Sequence, residues 1–125
     1  MTIKEVCSKY NITPDTIRYY EKVGVIPTIS RTNGGTRIFT EEDILWIENA
    51  VCMRSSGVSI EAIIEYVRLY QMGDSTFKER RELLNREREK LIMARKNLNE
   101  TISRLEFKIS KYDEAIKTGV LKWEE

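Results

Sequence analysis

Thr13-Pro14-Asp15-Thr16-Ile17-Arg18-Tyr19-Tyr20-Glu21-Lys22-Val23-Gly24 is the stretch on which the fold of this chain turns. Thr13 ahead of Pro14 starts a helix. The threonine oxygen caps free N–H groups, and proline at the first helical position lacks an N–H that would have no partner anyway. Gly24 ends it, because glycine takes the left-handed C-terminal conformation at little cost. Between these marks Ile17 and Tyr20 share the inward side, while Asp15, Thr16, Arg18, Tyr19 and Lys22 are left outward.

The residues before this helix predict a partner for it. Thr2-Ile3-Lys4-Glu5 is a capping box, and Ile3, Val6, Cys7 and Tyr10 follow at the spacing of one buried helical face. Only Asn11-Ile12 separates the two segments, so together they form a helix-turn-helix. Beyond Gly24, Ile29–Thr32 and Thr36–Phe39 flank Asn33-Gly34-Gly35, the pattern of a β-hairpin that would serve as a wing. Thr40-Glu41-Glu42-Asp43 caps a third helix with the stripe Ile44, Ile47, Ala50 and Val51, ending at Gly57. Ser59 caps a fourth through Ile60, Ile63, Ile64 and Val67, ending near Gly73.

After Gly73 the texture changes. From Thr76, read as a cap with Glu79, to about Ile116 there is no glycine or proline, and Leu84, Leu91, Leu98, Leu105 and Tyr112 recur every seventh residue. Ile102, Ile109 and Ile116 fill the second apolar position of the heptad in the C-terminal half; Arg88 and Arg95 hold it earlier. This is a coiled-coil seam, dry at one end and polar at the other. About forty residues of helix span roughly 60 Å, and one uninterrupted helix cannot fold back to cover its own stripe. A second copy of the chain is the simplest partner. The expected organisation is a winged helix-turn-helix over 1–72, a dimerisation helix over 73–116 and a tail over 117–125, mainly α throughout.

Composition narrows the function. Residues 1–72 carry net charge −1 and residues 73–125 net +2, so affinity for nucleic acid cannot rest on bulk charge and must come from the placing of particular arginines. No run of eighteen apolar residues and no leader pattern occurs, so a cytoplasmic protein that does not span a membrane is expected. Cys7 and Cys52 are far apart and there is no histidine. No nucleophile–base pair or set of metal ligands can be assembled, so neither enzyme, cofactor nor metal is expected.

Ile17-Arg18-Tyr19-Tyr20-Glu21, a glycine three residues later, Arg31, Arg37-Ile38-Phe39-Thr40 and Asp43-Ile44 closely resemble the MerR family of regulators, densely over residues 1 to about 72. The resemblance implies a winged helix-turn-helix followed by a long helix pairing antiparallel with its twin. It also implies a homodimer that binds pseudo-palindromic promoter DNA and distorts an over-long spacer, so that RNA polymerase can engage both promoter elements. Val51-Cys52-Met53-Arg54-Ser55 and Gly57-Val58-Ser59-Ile60-Glu61 are similar to the subgroup with a lone cysteine in the third helix, which responds to aldehydes and other electrophiles. Metal-sensing members carry cysteines near the end of the pairing helix, and residues 110–125 have none. Drug-sensing members append a ligand-binding domain, for which the residues after the helix are too few.

The DNA-contacting residues expected on this basis are Thr16, Arg18 and Tyr19 on the second helix, Arg31 and Arg37 on the wing, and Arg54 near the end of the third helix. Each has a plainer reading as a solvated surface residue. Tyr20 and Cys7 are expected in the core. Cys52 is the expected effector-sensing residue, set against the commoner case of an inert buried thiol; its neighbour Glu48 would not activate it, so a cation must come from elsewhere. Leu84, Leu91, Leu98, Ile102, Leu105, Ile109 and Tyr112 form the expected dimer interface. The competing function is a coiled-coil adaptor whose head binds protein, which would lack the steep salt dependence of duplex binding.

Overall fold

The computed structural model describes residues 1–124. Five α-helices account for most of it: α1 (Ile3–Tyr10), α2 (Pro14–Val23), α3 (Glu41–Ser55), α4 (Ile60–Gln71) and α5 (Phe77–Thr118). Thr2, Thr13, Thr40 and Ser59 each accept from a first-turn N–H, and Thr40 with Asp43 completes a reciprocal capping box. That bond is why Asp43 is tolerated among buried residues. At Thr2 the box is incomplete, since Glu5 meets the Thr2 hydroxyl rather than the cap N–H.

The chain divides into two compact units, Met1–Glu87 and Arg88–Glu125. The core of the first is built from Val6, Ile17, Ile47, Ala50, Ile63 and Val67 on the helices, and from Val25, Ile26, Ile29, Phe39 and Val58 between them. Tyr20 and Cys7 lie at its margin, half-buried. Trp46 packs edge-on against Tyr70, with ring centroids 4.8 Å apart. Leu69 and Leu83, both buried, line one groove, so the opening turns of α5 belong to this unit.

Two expectations change. The wing is not a pair of strands: among the described residues it is a loop closed by one antiparallel bridge, Arg31 to Arg37. Ser30 and Ile38 share one backbone bond, as do Thr32 and Thr36. Asn33 and Gly34 do not have positive φ, so the tip is not the tight turn typical of Asn-Gly. Instead Gly35 takes φ +84° after a Thr32–Gly35 turn, which widens the loop and leaves too little paired backbone for a ladder. Its base is tied to the start of the chain, as Met1 and Phe39 exchange two backbone bonds.

The second change is at Thr76, which does not cap α5. A 3-10 turn, Asp74–Thr76, runs straight into that helix and bonds the Phe77 N–H to the Asp74 carbonyl. The buried Thr76 hydroxyl instead donates to the Leu69 carbonyl at 2.6 Å, and Arg80 donates to Thr76 Oγ1 at 2.9 Å and to the Gly73 carbonyl at 2.6 Å. The Arg80 guanidinium lies over Tyr70 and Phe77, 4.8 and 5.0 Å from the ring centroids. The α4–α5 junction is thus clasped through carbonyls that helix ends leave open. Thr76→Val should therefore lower unfolding free energy by about 1–3 kcal/mol, read as a lower urea midpoint at constant slope and fixed protein concentration. An unchanged midpoint would show that the hydroxyl is idle.

In the second unit α5 continues to Thr118, two residues past the expected end. Gly119, with φ +79°, turns the chain back. Trp123 meets Tyr112 edge-on at 5.6 Å, and Lys111 donates to the Glu124 carbonyl at 2.9 Å. The heptad residues Leu84, Leu91, Leu98, Ile102, Leu105, Ile109, Tyr112 and Ile116 are all exposed, from 38% at Leu91 to 82% at Ile116.

Candidate nucleic-acid interface

α2 presents Arg18 and Tyr19 outward because Ile17 is fully buried and Tyr20 half so. Arg18 donates to Asp15 at 2.7 Å, with both side chains more than half exposed. An exposed pair of this kind is worth at most about 1 kcal/mol, so the guanidinium is easily drawn away by a phosphate or a base. Thr16 is placed differently. It is half-buried, its hydroxyl lies 2.8 Å from that of Thr13, and its N–H donates to the Thr13 oxygen. Its first role is therefore in the cap.

The wing arginines converge on a residue that the sequence analysis quoted within the family motif but gave no role. Glu21, in the last turn of α2, accepts from the Ile29 N–H at 2.7 Å through Oε2. Its Oε1 accepts from Arg37 Nε at 3.1 Å and Nη2 at 2.9 Å, and Arg31 Nη2 lies 3.7 Å away. Burial alone pushes the Glu21 carboxyl up, but the Ile29 N–H and the Arg37 and Arg31 guanidiniums outweigh it and hold it below the usual carboxylate range. Arg37 is thus a wing anchor, only 21% exposed at its side chain. Arg31 is more open and also donates to the Gly35 carbonyl at 3.0 Å. One signal pointed to Glu21: an acidic residue near a helix C-terminus opposes the helix dipole and calls for a cationic partner.

Arg54 donates to the Val58 carbonyl at 2.8 Å, so one N–H is spent holding the α3–α4 turn. Cys52, in the last turn of α3, is exposed rather than buried, and its carbonyl accepts from the Ser55 and Ser56 hydroxyls. The other thiol contrasts with it: burial pushes the Cys7 pKa up, partly opposed by Arg18. Among the described residues no group of three or more His, Cys, Asp or Glu is placed to hold a metal, and no helix is long and apolar enough to cross a membrane.

Residues 1–69 match the family described as MerR HTH family regulatory protein. The HTH-type transcriptional regulator AdhR of Bacillus subtilis is 48% identical over 92 residues, which cover 74% of this chain and 66% of that protein. A crystal structure of a MerR family transcriptional regulator from Listeria monocytogenes is 41% identical and superposes with a TM-score of 0.90, covering 95% of this chain and 90% of the other. HiNmlR, a MerR family regulator lacking the sensor domain and crystallised bound to promoter DNA, gives a TM-score of 0.84 at 28% identity, covering 96% and 95%. With a matched region that spans both the helix-turn-helix and the wing, the chain belongs to the MerR HTH family of regulatory proteins.

Proposed function

We infer that this protein is a transcriptional regulator acting in the cytoplasm, which binds a pseudo-palindromic promoter as a homodimer. On the inferred promoter it distorts the spacer between the two elements read by RNA polymerase. The observation that carries the reading is the placing of Arg18 and Tyr19 on the open face of α2, next to a wing that holds two guanidiniums. The similar MerR family regulator crystallised bound to promoter DNA, 28% identical with a TM-score of 0.84, supports it. Arg18 reads a base edge or a phosphate, the Tyr19 hydroxyl donates to a phosphate, and Arg31, Arg37 and Arg54 approach the backbone with their remaining N–H groups. Thr16 contributes from the cap.

The dimer forms through the heptad face of α5. An antiparallel arrangement suits it, because parallel copies would stack Arg88 on Arg88 and Arg95 on Arg95. Cys52 is the sensing residue, and its input is an aldehyde or another small electrophile. The name AdhR carried by a relative, and the exposed thiol, support this part.

Two substitutions test the DNA face. Arg18→Ala should cost about 1–3 kcal/mol of operator affinity and narrow the gap to random duplex. Arg37→Ala should weaken both and lower the salt slope by roughly one. Fluorescence anisotropy on the sequence flanking the gene reads both effects. Unchanged binding in both variants, with the helical content intact, would rule out this face.

A further inference from the structure

Glu21 is an awkward residue for its position. A carboxylate in the last turn of α2 faces the negative end of the helix, and its side chain is only 11% exposed. It stands there because donors from both arms of the wing meet it: Ile29 at the wing's entry, then Arg31 and Arg37, the bridged pair. One carboxylate therefore ties the candidate recognition helix to the wing and offsets part of the wing's charge.

We propose that Glu21 is the specificity-determining residue of the DNA-contacting face: it fixes the two wing guanidiniums at one spacing from α2 and withholds part of their charge from any other arrangement of phosphates. The proposal rests on the reading of the wing as a DNA contact. Non-specific binding is electrostatic and indifferent to where the cations sit. Two arginines on a loose loop would therefore hold any duplex. Held by Glu21, they meet phosphates only where the groove presents them at that spacing, which depends on the shape the sequence adopts. The carboxylate lowers affinity for every duplex by repulsion and lowers it least where the geometry fits, so the ratio of operator to random binding rises.

Glutamine cannot take over this role. Both carboxylate oxygens accept here, whereas an amide has one accepting and one donating end. Whichever way it turns, either the Ile29 N–H or the Arg37 guanidinium faces another donor. Glu21→Gln therefore opens the latch while changing very little volume.

The experiment measures wild type, Glu21→Gln and Arg37→Ala on operator and random duplexes across a salt series. Glu21→Gln should bind random duplex more tightly, with a salt slope steeper by about one. Its operator-to-random ratio should fall about tenfold, the scale of one lost specific contact. If Arg37→Ala weakens binding while Glu21→Gln leaves ratio and slope unchanged, the wing contacts DNA and the proposal for Glu21 is wrong. If Arg37→Ala changes nothing on either duplex, the wing does not contact DNA and the underlying reading falls with it. Should Glu21→Gln fail to fold, nitrogen NMR of the wild type decides: Arg37 Nε–H should exchange slowly in the free and operator-bound protein. An Arg37 Nε–H as labile as that of Arg18 in the free protein would overturn the proposal.

Discussion

Lysine at both Leu98 and Leu105 should split the inferred dimer into single chains and weaken operator binding about 100- to 10,000-fold. Leu98 is 63% and Leu105 53% exposed on the isolated chain, on a stripe of apolar residues that recur every seventh position. Pairing removes that stripe from water, worth about 1.5–3 kcal/mol for each leucine fully buried. Lysine there forfeits the gain and drives an ammonium into a desolvated seam, which costs more than the leucine contributed. The first unit should stay folded, because its core comes from Val6 to Val67 and neither leucine belongs to it. A monomeric head on a two-half-site operator loses the second, effectively intramolecular contact, and the large fall in affinity follows from that alone. Sedimentation at micromolar concentration should give twice the chain mass for wild type and the single mass for the variant. Lysine at Glu100, on the opposite side of the heptad, should leave the dimer intact. A wild-type monomer would overturn the inferred dimer, and a variant that still pairs would put its interface elsewhere.

What local sequence could reveal, and what it could not, follows from the range of the interactions involved. The helices were legible because caps and stripes act within one or two turns: Thr13 with Pro14, Thr40 with Asp43, Ser59 with Ala62. The buried residues of the connections were not. Val25, Ile26, Ile29, Phe39 and Val58 lie outside any repeating face, so no periodicity marks them. α3 misleads in a related way. Its apolar residues surround the helix, and the large Trp46 is buried beside Tyr66 and Tyr70 while Leu45 is 64% exposed.

The candidate site shows the same divide. Arg18 and Tyr19 could be placed from their own helix. The Glu21–Arg37 contact joins residues sixteen apart and depends on how the wing returns to α2. Thr76 had the residue type of a cap, but the 3-10 turn before α5 redirected its hydroxyl to α4. The exposure of Cys52 likewise depends on how α3 is rotated in the packed head, which its local pattern left open.

Cys52→Ser should bind operator as wild type does and lose the transcriptional response to aldehydes or quinones altogether, while Cys7→Ser keeps it. A soft-metal input needs several thiolate or imidazole ligands converging. This sequence has two cysteines, one on α1 and one on α3, and no histidine. The two thiols also differ in access, since Cys7 is half-buried with its pKa pushed up by burial, whereas Cys52 is open. Adduct chemistry balances without an oxidant. With an aldehyde, the sulfur bonds to the carbonyl carbon and the thiol proton passes to the carbonyl oxygen, giving a thiohemiacetal. With an unsaturated carbonyl, sulfur bonds to the β-carbon, the alkene electrons shift, and the proton ends on the α-carbon. Exposure also says how such an adduct must act. On the isolated chain the added atoms enter solvent and disturb no packing, so the signal has to arise where Cys52 meets a surface supplied by the second copy or by DNA. Overpacking a contact by a few atoms costs about 1–3 kcal/mol, which shifts a two-state equilibrium roughly five- to 150-fold. The decisive assay is run-off transcription with purified polymerase, wild type and both serine variants, with mass spectrometry locating the adduct. A Cys52→Ser protein that still switches would exclude covalent sensing at this thiol and point to a non-covalent ligand instead.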